Sequence, residues 1–371
     1  MHPDDIVQAP FLIDFIKGLK RRKHHIFVFT QDRKGRKDEI LEGVKVKWFP
    51  WMKVNKPLVN LNLFNPLDLL RIGTLFFSGR KEIISFVREQ HIQTCLALWV
   101  LPSGYLANYV YRKTGIPYSV WALGSDIYRY GRNPLLHPLM ERIIKEARGV
   151  FADGFDLAKR IEESFGRKCQ FLSTSRKIPN LSYRDEKSKK GHVPYRFLFV
   201  GRLEKVKGID ILLRAVELLK EENQDFHLTV VGRGRMEEWA KAFVIQKGME
   251  DKVSLIGFIP DLELSSLYHC SNCVVIPSRS ESIPLVFSEA LSLNKEMIVT
   301  DVGDMGRLGR EYEIAEVVPP GNPFALKEAL KKKIFSSEDS QMEVRRRDLL
   351  KFFDMERSIE KFLEDYKELN S

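Results

Sequence analysis

The 371-residue chain holds only four cysteines, Cys95, Cys169, Cys270 and Cys273. That is too few, and too scattered, for a disulfide scaffold in a chain of this length. Its one CxxC, Cys270-Ser-Asn-Cys273, has only His269 beside it and lacks the second ligand pair that a zinc site wants. It also closes a helical pattern and enters a strand, the reverse of a thioredoxin-like redox turn. No apolar run reaches the roughly 18 residues of a spanning helix. The opening residues, Met1 to Pro10, are too acidic and too poor in apolar side chains for a signal peptide, so the cytoplasm is the expected compartment. No carboxylate cluster argues for a bound cation, and no recognisable motif argues for nucleic acid. The Asn180-Leu-Ser182 sequon means nothing in a cytoplasmic protein.

With 44% hydrophobic and 30% charged residues, the composition is that of a folded protein. The length exceeds the usual size of one core, so two domains are expected. Charge is unevenly spread. Residues 1–180 carry 30 Lys+Arg against 17 Asp+Glu, and the remainder 30 against 33. This asymmetry points the first half toward an anionic partner, and a membrane surface fits better than nucleic acid.

The most informative stretch is Ser278 to Leu291, SRSESIPLVFSEAL, which follows the apolar strand Cys273–Ile276. Glu281 and Glu289 lie eight residues apart. In one continuous helix they would stand roughly 80° and about 12 Å apart, not on one face. Ser282 suits an N-cap and Pro284 a first turn, so Glu281 is expected in the loop and Glu289 about two turns into the helix. Glu289 sits among Leu285, Val286 and Ala290, where an acid is costly unless something uses it. The plain alternative is two solvated helix acids.

Upstream, the strand Arg196–Val200 runs into Gly201-Arg202-Leu-Glu-Lys-Val-Lys207-Gly208 and a periodic helix from Ile209 to Lys220. A glycine turn between strand and helix exposes backbone N–H groups where the helix dipole favours an anion, and Arg202 and Lys207 flank that turn. Further strands are expected at Leu228–Val231, Val253–Ile259, Met297–Thr300 and Glu316–Val318. Strands alternating with helices imply a parallel sheet with ligands outside its carboxyl ends. Gly201, Gly232, Gly257, Ser278 and Gly303 all sit at such ends.

GRLEKVKGIDILLRA, LTVVGRG, VSLIGFIPD, LYHCSNCVVIPSRSESIPLVFSEAL and TDVGD, in that order from about Phe197 to Leu330, together resemble the C-terminal domain of family 4 retaining glycosyltransferases. The resemblance implies an α/β GT-B fold, with two Rossmann-like domains facing each other across a cleft and a C-terminal helix crossing back to the first. It further implies that Arg202 and Lys207, on the Gly201 turn, hold the diphosphate of a UDP- or GDP-linked sugar. Glu281 would face the donor sugar and Glu289 the ribose hydroxyls. The amides around Ile283, Pro284, Leu285 and Val286 would meet phosphate or sugar, and the backbone of Gly257, Phe258 and Ile259 would edge the base. The family uses no bound cation or other cofactor. Ser282-Ile283-Pro284 stands where the family often has glycines, and Asn294 where its helix commonly ends in one.

The first half alternates in the same way, with an amphipathic helix over Ile6–Lys23 and strands at Ile26–Thr30, Val44–Phe49, Cys95–Val100, Tyr118–Ala122, Gly149–Ala152 and Gln170–Ser173. It resembles the family's acceptor-side domain more weakly. The family normally opens with a strand leading into a loop, and this chain starts at that loop. Either that strand is missing or another segment fills its place. Leu123 replaces a common histidine, which leaves Asp126 as the nearest catalytic candidate, or equally a helix-cap or turn aspartate. Trp99, Ser103 and Gly104 are expected at a strand end. Residues 55–77 mix apolar side chains with flanking cations, which suits a bilayer interface or a loop followed by a core helix. The expected division is 1–178 with the helix 354–371, a polar linker 179–193, and a donor domain 194–353. The expected activity is retaining sugar transfer to a glycan or lipid-linked acceptor, in cell-surface polysaccharide or glycolipid assembly. The expected setting is the inner face of the membrane. The alternatives are an impaired scaffold that binds nucleotide, or another GT-B enzyme such as a nucleotide-sugar epimerase.

Overall fold

The computed structural model describes residues 10–32, 35, 37–52, 65–131, 133–176, 178–179, 194–336 and 341–367. The expected linker, apart from Pro179, lies outside them, as do residues 55–64 of the mixed apolar stretch. The chain forms two compact units. One comprises Phe15–Leu172 with Ser358–Ser371, the other Ser173–Arg357 with the residues up to Asp14.

The amino-terminal unit takes α1 (Pro10–Arg21) from Phe15 onward, and its apolar residues Phe15 and Leu19 are buried. β1 (Phe27–Gln31), β2 (Glu39–Leu41) and β3 (Val44–Phe49) form a sheet of order β1-β3-β2, with β1 parallel and β2 antiparallel to β3. The short β2 carries no apolar periodicity and is absent from the sequence expectation. α2 (Pro66–Glu89) begins where Asn65 accepts from the amides of Leu67 and Asp68, with proline in its first turn. Then follow β4 (Cys95–Leu98), a π-helical turn over Trp99–Gly104, α3 (Tyr105–Thr114), β5 (Tyr118–Ala122), α4 (Ser125–Tyr130), α5 (His137–Glu146), β6 (Val150–Ala152), α6 (Phe155–Phe165) and β7 (Gln170–Phe171).

The second sheet, β4-β5-β6-β7, is wholly parallel. Its strand β5 is buried along its whole length, as a strand covered on both faces must be. Phe15 of α1 packs 5.3 Å from the Trp121 ring. The carboxyl-terminal helix from Met355 lays Phe362 against Phe15 and Phe151, and Lys361 donates to the Phe171 carbonyl at 2.8 Å. The chain thus returns to its first unit at the end. Among the described residues no strand joins the β1-β3-β2 sheet to the β4-β5-β6-β7 sheet.

The carboxyl-terminal unit contains β8 (Tyr195–Val200), α7 (Ile209–Glu221), β9 (Phe226–Val231), α8 (Glu237–Gln246), β10 (Val253–Ile256), α9 (Asp261–Cys270), β11 (Cys273–Ile276), α10 (Leu285–Ser292), β12 (Glu296–Thr300), α11 (Gly303–Glu311), β13 (Glu316–Val318), α12 (Pro323–Phe335), α13 (Met342–Leu350) and the start of α14 (Met355–Lys367). The sheet runs β10-β9-β8-β11-β12-β13, every neighbour parallel. β10 is shorter than its apolar pattern suggests. It ends at Ile256, because the chain must turn through Gly257 to Pro260 before α9.

Candidate active site

The strand order reverses at β8. The chain leaves it first for β9 and β10, then returns on its other side at β11, so the loops after β8 and β11 part in opposite directions. In an open parallel sheet this is where ligands bind. The two loops are fastened together. Arg279 grips Asp210 of α7 with both ends of its guanidinium, Nη1 and Nη2 each 2.7 Å from a carboxylate oxygen, and its amide donates to the Val206 carbonyl at 2.7 Å. Gly208 makes the close approach possible. Its φ is +75°, and a Cβ there would lie 1.9 Å from the Pro277 carbonyl oxygen. Burial opposes charge on Asp210, but the Arg279 hydrogen bonds and charge outweigh it and hold the carboxyl below its ordinary value.

Within this clasp Lys207, on a 3₁₀ turn over Lys205–Lys207, forms an ion pair with Glu281 Oε1, to which Ser278 Oγ also donates at 3.1 Å. The loop carrying Glu281 is pinned from β12, where Thr300 Oγ1 donates to the Ser278 carbonyl at 2.6 Å. It is pinned again at Gly303, where φ is +52° and a Cβ would lie 2.2 Å from the Glu281 carbonyl oxygen. An acid and a base far apart in sequence are therefore held together at the switch point.

The helix after Glu281 starts later than its sequence suggests. Ser282 does not cap it, for its buried Oγ has no hydrogen-bond partner. Pro284 holds the cap position in an extended conformation and Leu285 is the first helical residue. A residue preceding proline is driven out of the α region, so Ile283 cannot begin a helix. Glu289 is consequently just over one turn in, not two. Ile283, Pro284 and Val286 bury their side chains, so they offer a ligand only backbone, and the first amides of α10 lack intrahelical acceptors. At the far end Asn294 adopts φ +54°, with Lys295 N donating to Ala290 O at 2.9 Å and Asn294 N to Leu291 O at 3.2 Å. This is the glycine-type helix end realised with asparagine.

Glu289 is buried, its side chain 3% exposed, and both its oxygens are engaged. Arg176 Nε donates to Oε1 at 2.5 Å and Tyr268 Oη to Oε2 at 2.6 Å. Burial and then the Glu289 charge push the Tyr268 phenol well above its ordinary value, so it stays a donor. Arg176 Nη1 also reaches Asp261 Oδ1 at 2.8 Å.

Of the remaining expected residues, Gly201 extends β8, its amide donating to Val231 O at 3.0 Å, while Arg202 is exposed. Gly257, Phe258 and Ile259 follow β10 at the same edge of the sheet, with the Phe258 ring 63% exposed. Asp126 is elsewhere, in the amino-terminal unit, and it is buried. Its Oδ2 accepts from the Val100 amide at 2.6 Å, and the amides of Leu123, Asp126 and Ile127 also favour its charge, yet burial dominates and raises its pKa to about 6. As placed it secures the turn over Trp99–Gly104, and Leu123 is half-buried just before it. Cys273 is buried in β11, and burial raises its thiol far above the ordinary range, so it is an inert core residue. Nothing local in the sequence marks Asp210, Arg279, Arg176 or Tyr268, because each acts through a partner 20 or more positions away.

Residues 183–347 match the glycosyl transferases group 1 family. An amylovoran biosynthesis glycosyltransferase of Erwinia amylovora is 28% identical over 153 residues, covering 40% of this chain and 37% of the relative. Against most of the curated relatives it matches, the chain spans about a third of their length. Sucrose-phosphate synthase from Thermosynechococcus elongatus superposes over 97% of this chain and 92% of its own, with a TM-score of 0.78 at 15% identity. HepE of Anabaena, solved in complex with UDP-glucose, superposes over 93% of this chain and all of its own, with a TM-score of 0.69 at 15% identity. The chain has the GT-B fold, and what it is similar to in sequence, over residues 183–347, is the glycosyl transferases group 1 family.

Proposed function

We propose that the protein transfers a sugar, with retention, from a UDP- or GDP-linked donor to a glycan or lipid-linked acceptor in polysaccharide or glycolipid assembly. The observation that carries this reading is the Lys207–Glu281 pair, clasped at the sheet's switch point beside the open amides of α10. In the reaction the bond from the anomeric carbon to the diphosphate oxygen breaks and a bond to the acceptor oxygen forms, the acceptor proton passing to the departing diphosphate. Negative charge grows on the departing diphosphate. Lys207, Arg202 and the α10 amides supply fixed positive potential there. Glu281 faces the sugar, and Glu289 accepts from the ribose hydroxyls. The carboxylate needs no rearrangement for this, since each oxygen has a second lone pair beyond the one used by Arg176 or Tyr268. The UDP-glucose bound by HepE and the amylovoran biosynthesis relative support the donor and acceptor classes.

We also place the amino-terminal unit against an anionic membrane surface, on the strength of its charge and of the exposed residues of α2. Steady-state kinetics with UDP- and GDP-sugars tests the donor site. Ribose is unchanged through the reaction, so Glu289→Gln raises donor KM about tenfold to a hundredfold, as loss of a charge-assisted hydrogen bond of about 1.5–3 kcal/mol should, and lowers kcat less. Glu281→Gln lowers mainly kcat. If both losses fall only on KM, Glu281 has no role at the reacting centre. Nucleotide binding without turnover on any acceptor would favour the impaired scaffold.

A further inference from the structure

Arg176 stands only three residues past the point where the two compact units divide, yet it is not linker surface. Its side chain is 10% exposed and joins two helices of the carboxyl-terminal unit, Nε on Glu289 of α10 and Nη1 on Asp261 of α9. The segment that carries it is itself docked. Ile178 is buried, and Ser265 Oγ of α9 donates to the Pro179 carbonyl at 2.6 Å. Two fixed donors, Arg176 and Tyr268, thus hold Glu289 from opposite oxygens, and they leave one set of lone pairs with a defined direction. A buried carboxylate with a single partner could rotate about its last torsion, which is broad and twofold. With two partners it cannot. Loss of Arg176 would also leave the Glu289 charge buried without its compensating cation, which favours a rearranged carboxylate over an aimed one.

We propose that Arg176 is a positioning residue that sets selectivity for ribose over 2′-deoxyribose in the bound nucleotide, by fixing the direction of the Glu289 carboxylate. The inference rests on the assignment of Glu289 to the ribose hydroxyls. It adds that this recognition is a property of a four-residue unit, Arg176, Asp261, Tyr268 and Glu289, built from the segment leaving β7 together with α9 and α10. Asp261, at the first position of α9, steadies the guanidinium from the side away from Glu289.

The test is titration calorimetry with UDP, GDP and ADP, each beside its 2′-deoxy analogue, on the full-length wild type, Arg176→Met and Arg176→Lys, with thermal melting to establish folding. The wild type should prefer the ribose form of its nucleotide by about tenfold or more, the range of a charge-assisted hydrogen bond. In Arg176→Met that preference should shrink to within about twofold, while affinity for the 2′-deoxy form stays near the wild-type value. Arg176→Lys keeps the charge but loses the rigid fork, so it should retain only part of the preference, and it carries the test if the methionine variant does not fold. Where the donor sugar is turned over, the loss should fall on KM with kcat little changed. A variant that keeps the wild-type preference, or loses affinity for both forms equally, overturns the inference and leaves the donor site standing. A wild type that binds none of these nucleotides overturns the donor-site reading, and the inference with it.

Discussion

Asp126 shows how one residue type can serve two readings. The sequence makes it the nearest acid to a position where Leu123 replaces a histidine, and so a candidate for chemistry. In the fold its carboxylate is 1% exposed and spends Oδ2 on the Val100 amide. Two measurements separate the roles. Asparagine keeps a carbonyl for Val100, so Asp126→Asn should hold turnover within about threefold if the residue only positions the turn, whereas loss of an essential charge would cost about a hundredfold or more. Stability gives the second. The native pKa of about 6 lies above the ordinary carboxyl value of about 3.9, so between those pH values the native state holds more protons than the unfolded state. Stability contributed at this site therefore falls as pH rises through that window, by roughly 2–3 kcal/mol in all. Urea unfolding from pH 4 to 7 should show Asp126→Asn gaining on the wild type by about that amount. A constant difference across the range would remove burial as the cause.

At the scale of elements, the sequence is legible wherever a strand is buried on both faces. β5 and β11 begin and end where their apolar runs do. Edges are less legible, because their limits depend on partners. β2 has three residues and one neighbour, and β10 stops early to make the turn into α9. One local contest makes α10 start later than the sequence suggests. Ser282 had the chemistry of a cap, but Pro284 decided the backbone. Lys207 and Glu281 are legible as candidates because strand–turn–helix chemistry exposes them, and the fold pairs them. The clasp of Arg279 on Asp210 was not, because nothing local marks a pair 69 positions apart. The loop glycines carry that clasp, and they allow a controlled test. Gly321 has φ +74° with nothing near its missing Cβ, so Gly321→Ala should cost only the left-handed backbone penalty, about 1–2 kcal/mol. Gly208→Ala, with φ +75° and a carbonyl oxygen 1.9 Å from the new Cβ, should cost distinctly more and abolish nucleotide binding. Equal losses in urea unfolding would show that the β8 and β11 loops are not fastened at this point.

Across the whole molecule, positive charge is concentrated in the first half, but charge alone does not locate a surface. The basic run after α1 is partly committed to the fold. Lys20 Nζ donates to the carbonyls of Glu42 and Gly43 at 3.0 and 3.1 Å, and Arg22 pairs with Glu360. The better surface is α2. Leu70, 54% exposed, and Phe77, 72% exposed, stand seven residues apart on one helix face, and Arg80, Lys81 and Arg88 follow them on its exposed side. Among the described residues no helix is long and apolar enough to cross a membrane, so the contact envisaged is interfacial: apolar side chains at the acyl boundary, cations at the headgroups. Moving a Leu or Phe fully from water is worth about 1.5–3 kcal/mol, and each nearby cation adds on the order of 1 kcal/mol that salt screens. Sedimentation with vesicles containing anionic phosphatidylglycerol should therefore show binding at low salt that weakens at about 0.5 M, beyond the screening range of surface charges. The paired variant Leu70→Ser with Phe77→Ser should lose at least tenfold in affinity at low salt while retaining turnover on a soluble acceptor. Charge reversal at Lys81 should weaken binding less and reduce its salt dependence. Binding that ignores both salt and the serine pair would place the membrane contact elsewhere, and no binding to anionic vesicles would leave the basic half of the chain to another anion.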